Sequence, residues 1–160
     1  MSFGIGRLRC RGIEGMRCGR FPGKINTTVF VFRRGSTLID TGPPNQWSIV
    51  RQFAAESAVE LVVATHHHED HAGNLGRLAA ATGAPILAPA ESLGLLAGGF
   101  PMQPYRRIAW GVAERVEAKS IPPHLTLPGG DRLDPGRYYL RRDRAIHVTL
   151  RRMGPSRLSR

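Results

Sequence analysis

The chain has 160 residues, of which 41% are hydrophobic, and a formal charge of +11. This length suits one compact domain with its own core and is short for two. No run approaches the ~18 consecutive apolar residues of a membrane span, and the opening "MSFGIGRLRCRGIEG" lacks the apolar stretch of a signal peptide, so a cytoplasmic protein with no membrane partner is expected.

The charge is unevenly spread. Residues 1–34 carry eight Lys/Arg against one acid, residues 35–136 seven against ten, and residues 137–160 eight against one. A nucleic-acid face interleaves basic with aromatic residues or lines one helix with them. Here the basic residues flank a mildly acidic middle, which argues against a nucleic-acid partner. Cys10 and Cys18 are spaced too far apart for a close metal-ligand pair and too few for a disulfide framework, so both are expected as free thiols.

In chain order, residues 1–19 read as a basic segment ahead of the domain. Thr28 to Phe32 is β-branched and aromatic, "RRGS" is a turn, and "TLID" is a short buried strand ending at Asp40. After "TGPPNQW", apolar residues at Trp47, Val50, Phe53 and Ala54 give helical spacing across 46–57. "VELVVAT" is a buried strand of the parallel-sheet kind. "AGNLGRLAAATG" is a short helix stopped by Gly83, and "APILAP" is another strand. Residues 91–120 read as a helix, a Gly/Pro loop and a further helical piece. "HLTLPGGDRLDPGRYYL" reads as a hairpin. Alternating strands and helices with short links make an α/β fold with right-handed crossovers.

The chemistry lies in "THHHEDHAGN". In open α/β sheets, sites form beyond the carboxyl ends of strands, and this cluster follows the "VELVVAT" strand directly. His66 and His68, two apart on extended backbone, project to one side. Asp70 and His71 come as the chain turns into the next helix and can return toward the same cavity. Imidazole and carboxylate are the donors that zinc and similar metals take, so these four residues are the candidate metal ligands. His67 and Glu69 fall on the alternate face, as spacers or as groups supporting the ligands.

The segment resembles the H-x-H-x-D-H signature of the metallo-β-lactamase fold hydrolases, with His66, His68, Asp70 and His71 at the motif positions. "STLIDTG" is similar to an earlier buried strand of that family, where Asp40 would shape the metal site from below, and "GKINTTVFVF" to its opening hairpin strand. The resemblance covers about residues 20 to 137. It implies an αββα sandwich with one or two zinc ions, His66 and His68 holding the first and Asp70 and His71 the second. Asp70 is also the candidate catalytic residue. Water activated by the metal would attack an ester, thioester, amide or phosphodiester in a small-molecule substrate.

Past residue 137 the resemblance stops. The family continues to a Pro-Gly-His turn that completes the first metal, then to a bridging aspartate and a final histidine. This chain continues as "RRDRAIHVTLRRMGPSRLSR". His147 lies at a suitable distance without the Pro-Gly turn, and His124 reads as a loop residue. "DRAIHV" can be encoded GAC-CGG-GCC-ATT-CAC-GTG, whose bases give Pro-Gly-His-Ser-Arg two positions further on. Residues 138–160 are therefore expected to be an arginine-rich tail out of frame, and residues 20–137 the N-terminal half of the sandwich. Such a half would bind zinc at less than one firm equivalent, turn over weakly or not at all, and self-associate through an open sheet face. The alternatives are a metal-binding or interaction module completed by a partner chain, and a basic nucleic-acid binder. The nucleotide sequence of codons 137–160 distinguishes the frameshift from the others.

Overall fold

A computed structural model of the chain describes residues 6–19, 28–122, 125–126 and 132–133. Seven strands form one sheet in the order of the chain: β1 (Arg7–Cys10), β2 (Ile13–Gly19), β3 (Thr28–Arg34), β4 (Thr37–Ile39), β5 (Leu61–Val63), β6 (Ile86–Ala88) and β7 (Lys119–Ser120). The first four strands pair antiparallel as hairpins, and β4 to β7 run parallel. Each parallel step needs a crossover. These are α1 (Trp47–Ala54), then α2 (Glu69–Ala72) with α3 (Leu75–Thr82), then α4 (Ala90–Gly98) with α5 (Pro104–Trp110).

Among the described residues, the helices lie against one face of the sheet. Their buried residues Val50, Phe53, Ala72, Leu75, Leu78, Leu96 and Trp110 join Met16, Cys18, Val31, Leu38 and Val62 from the strands in one core cluster. The amphipathic spacing read across 46–57 is real, though its first turn (Pro44–Gln46) is a 3-10 helix and the α-helix stops at Ala54. Gly83, with φ of 71°, closes α3 by donating its N–H to the Ala79 carbonyl, the left-handed helix stop that glycine favours.

Because side chains alternate along strands, one row crosses the opposite face from Leu8 through Gly15, Phe32, Ile39 and Val63 to Leu87. Toward β6 this row is covered: Leu61, Val63 and Leu87 are buried against Ile121 and Leu125. Toward β1 it is open, with Leu8 53% exposed and Phe30 and Phe32 half-buried, their rings stacked 5.8 Å apart. Among the described residues, the exposed part of this row lies at this end.

Residues 7–19, expected to precede the domain, are two strands of its sheet. The connecting Arg11-Gly12 has positive φ at both residues, 46° and 77°, as a tight two-residue hairpin turn requires. The expected "HLTLPGGDRLDPGRYYL" hairpin is described only where β8 (Leu125–Thr126) pairs antiparallel with β9 (Arg132–Leu133). Its turns, His124, His147 and the whole 138–160 tail lie outside the described residues. Among the described residues no helix is long and apolar enough to cross a membrane.

Candidate metal centre

The cluster sits at the carboxyl ends of the parallel neighbours β4 and β5. Asp40 follows β4 and is held by its N–H donating to the Val63 carbonyl at 2.8 Å. It is buried, with φ of 59°, a left-handed conformation that costs most residues about 1–2 kcal/mol and aspartate less. That turn aims its carboxylate across to the segment after β5. There the Thr65 N–H donates to Oδ1 at 2.8 Å, and the Thr65 hydroxyl lies 2.9 Å from both carboxylate oxygens. Nδ1 of His71 lies 2.8 Å from Oδ2. The Thr65 hydroxyl is also 3.0 Å from Nδ1 of His66.

These contacts fix two imidazoles through their Nδ1 atoms. With Nδ1 of His71 donating to Asp40, its Nε2 carries the lone pair, an arrangement that supporting carboxylates impose on metal-binding histidines. One donor atom each from His66, Asp70 and His71 comes within 4.8 Å of the other two. The rings of His66 and His71 are 4.3 Å apart. His68, the fourth expected ligand, has its ring 4.7 Å from that of His66 but does not join the three-donor group. Its backbone instead starts α2, the carbonyl accepting from His71 and Ala72. His67 points away from the group, edge-on to Phe100 with ring centroids 4.9 Å apart.

Glu69 is wholly buried. Its Oε1 accepts from Nε of Arg106 at 2.5 Å, and Nη2 of the same guanidinium donates to Oδ1 of Asp70 at 2.9 Å. One arginine from α5 thus ties two neighbouring carboxylates of α2, leaving Oδ2 of Asp70 toward His71 at 3.9 Å from its Nε2. No local pattern in the sequence marks Arg106, 37 residues from Glu69.

A third contact set locks the loop after β4 to the histidine-bearing segment after β5. Thr41 donates its N–H to the His71 carbonyl at 2.6 Å. The buried Asn74 amide donates to the carbonyls of Thr41, Gly42 and Pro43 at 2.9, 3.3 and 2.8 Å. Gly73 permits the approach: a Cβ there would lie 2.3 Å from Cδ of Pro44 and from the Glu69 carbonyl.

The environment sets opposite titrations within the cluster. Burial, with the neighbouring charge of His71, pushes His66 down to about 4. His67 and His68 are also lowered, chiefly by burial. Burial opposes the imidazolium at His71 too, but the Asp40 hydrogen bond and the charges of Asp40 and Asp70 outweigh it and raise the pKa. The signs differ accordingly. His66 contributes stability above the ordinary imidazole value of about 6.5 and loses it as pH falls toward its folded value; His71 contributes below about 6.5 and loses it as pH rises through its own. Metal-free protein is therefore expected to lose about 3 kcal/mol through His66 alone as pH falls from about 6.5 to about 4. Urea unfolding across that range, with chelator present, measures it. His66→Gln should flatten the slope, and an unchanged slope would place the acid sensitivity elsewhere.

The family model of the metallo-beta-lactamase superfamily matches residues 20–147. No curated protein matches the chain. Among solved structures, the chain is similar to BJP-1, a subclass B3 metallo-beta-lactamase of Bradyrhizobium japonicum, with 23% identity and a TM-score of 0.54 over 67% of this chain and 44% of that one. It is similar also to a metallo-beta-lactamase from Cronobacter sakazakii with a mutated HARLDQ motif, at 20% identity and a TM-score of 0.55 over 83% and 56%. A beta-lactamase from Chitinophaga pinensis gives 19% identity and a TM-score of 0.52 over 65% and 43%. The chain thus spans about half the length of these structures, and at such identities the likeness is one of fold. With the family match running from before β3 past β9, the chain belongs to the metallo-beta-lactamase superfamily.

Proposed function

We propose that the cluster is the metal site of a zinc-dependent hydrolase acting on an ester, thioester, amide or phosphodiester. The observation that carries this reading is the convergence of His66, Asp70 and His71, with Asp40 and Thr65 fixing the two imidazoles behind them. The donor set fits zinc, since two imidazoles and a carboxylate are its usual nitrogen and oxygen ligands, and His66 is neutral at physiological pH. His68, with its ring 4.7 Å from that of His66, is a further imidazole beside the three donors. Bound zinc would supply Lewis acidity and a water that ionises near neutral pH.

The chain's own residues do the rest. Asp40 holds His71 in one tautomer, Thr65 orients His66, and Arg106 takes Oδ1 of Asp70. Oδ2 of Asp70 is left to face the reacting centre as ligand and proton acceptor, the catalytic role assigned to this residue.

Zinc titration with a competing chelator tests the site. The expected result is at most one zinc per chain, released readily, with affinity falling as pH drops. That fall should begin above the ordinary imidazole range, because Asp40 and Asp70 favour the imidazolium of His71 and zinc must displace the proton on its Nε2, while Nδ1–H stays on Asp40. His66→Ala with His71→Ala should abolish binding. Two zinc ions resisting the chelator, or binding that survives the double substitution, would overturn this assignment.

A further inference from the structure

Beside the cluster lies a cleft of about 400 Å³, within the size range of small-molecule sites. Leu95 and Leu96 of α4, Phe100 and Met102 of the following loop, and Val112 after α5 give it apolar walls. His67 lines it too, with its ring 4.9 Å from Phe100 on one side and 4.7 Å from His68 on the other. His67 thus stands between the cleft and His68, the neighbour of the three-donor group.

Two charged residues, Glu114 and Arg115, border it. Oε1 of Glu114 accepts from Nε of Arg77 at 3.0 Å, so its charge is balanced. Arg115 has no acidic partner among the described residues. Its Nε lies 3.6 Å from where a Cβ on Gly99 would stand, so the guanidinium rests along the glycine wall of the cleft. Apolar walls with one uncompensated guanidinium select against two kinds of ligand. A small inorganic anion leaves the walls wet, and a neutral hydrocarbon leaves the cation unpaired.

We infer that the cleft binds an amphipathic organic anion, a carboxylate on a hydrocarbon body, with Arg115 taking the carboxylate and Leu95, Phe100 and Val112 the hydrocarbon. Guanidinium and carboxylate match as a two-bond fork. This deepens the hydrolase reading, on which it rests for its use, by naming the group carried beside the scissile bond. Binding in the cleft itself needs no metal.

The test is an amide-resonance titration of the full chain with octanoate, octanamide and acetate, run with chelator and again with zinc. Octanoate is expected to shift the resonances of residues 95–102 and 112–115, with octanamide at least fivefold weaker and acetate silent. Arg115→Gln, an exposed substitution, should bring octanoate down to the level of octanamide, and Phe100→Ala should weaken both. Equal binding of octanoate and octanamide by the unaltered chain, shifts elsewhere in the sheet, or no saturable shift would overturn the proposal. Failure of zinc to bind would leave the chelator arm readable, so the two readings fail separately.

Discussion

Arg106→Met is expected to destabilise the protein by about 3 kcal/mol, at the lower end of what breaking a buried ion pair costs. Glu69 is fully buried and Arg106 is a quarter exposed, which is why the lower end applies. The loss comes less from the attraction removed than from the carboxylate left behind. Glu69 already has one oxygen, Oε2, with no partner; without Arg106 both are stranded in a core-facing turn. A double substitution, Arg106→Met with Glu69→Gln, should recover part of the loss, because a neutral amide is far less costly to bury than an unpaired charge. Urea unfolding of the four proteins in that cycle measures the coupling. Additive losses would mean that the pair is not an energetic unit. The same substitution frees Oδ1 of Asp70, so zinc affinity should fall as well.

Asp40 is the second position of large effect. Asp40→Asn keeps the shape and tolerates the left-handed backbone, but it replaces a charged acceptor with a neutral one. Zinc affinity is expected to drop by about 10- to 100-fold, the usual loss when a group supporting a metal ligand is changed, with little change in unfolding free energy. Asp40→Ala is expected to do both kinds of damage. It strands the Thr65 N–H and Nδ1 of His71 at a buried position and places alanine at φ of 59°, for a combined loss of about 3 kcal/mol. Calorimetric zinc titration and thermal unfolding separate the two variants. Unchanged zinc affinity in Asp40→Asn would remove Asp40 from the metal site.

The parallel part of the fold is legible in the residues because burial on both faces demands apolar runs such as "ELVVA" and "APILAP", and turn chemistry bounds them. The candidate ligands are legible for a related reason, since nothing else accounts for four histidines after a buried strand. What stays hidden depends on tertiary placement. The β1–β2 hairpin carries Arg7, Arg9 and Arg17 where strands usually show β-branched residues, and its turn uses Arg11 at positive φ where asparagine would signal it. Only the alternation of buried Met16 and Cys18 around Arg17 marks β2, and it is short. Glu69 falls on the alternate face of the motif as expected, but its burial follows from Arg106, 37 residues away. No local pattern announces that partner, because α5 reaches α2 only once the last crossover has packed. His68 shows the converse: period-two spacing puts it beside His66, while its backbone is already committed to starting α2.

The Asn74 amide, spread over three successive carbonyls, bears on how fast a metal could come and go. A loop that must be ordered by its ion pays conformational entropy at the moment of capture, and it loses the ion slowly because release requires the loop to open. Here Asn74, Thr41 and the glycine contact at Pro44 bind the turn that carries His71 to its neighbour through protein groups alone. The ordering cost is met during folding. Capture then leaves the backbone where it was, so amide exchange at residues 66–74 should be nearly equally slow with and without zinc. The residence time of a bound zinc is then expected to depend on its few bonds to side chains, and not on a gate.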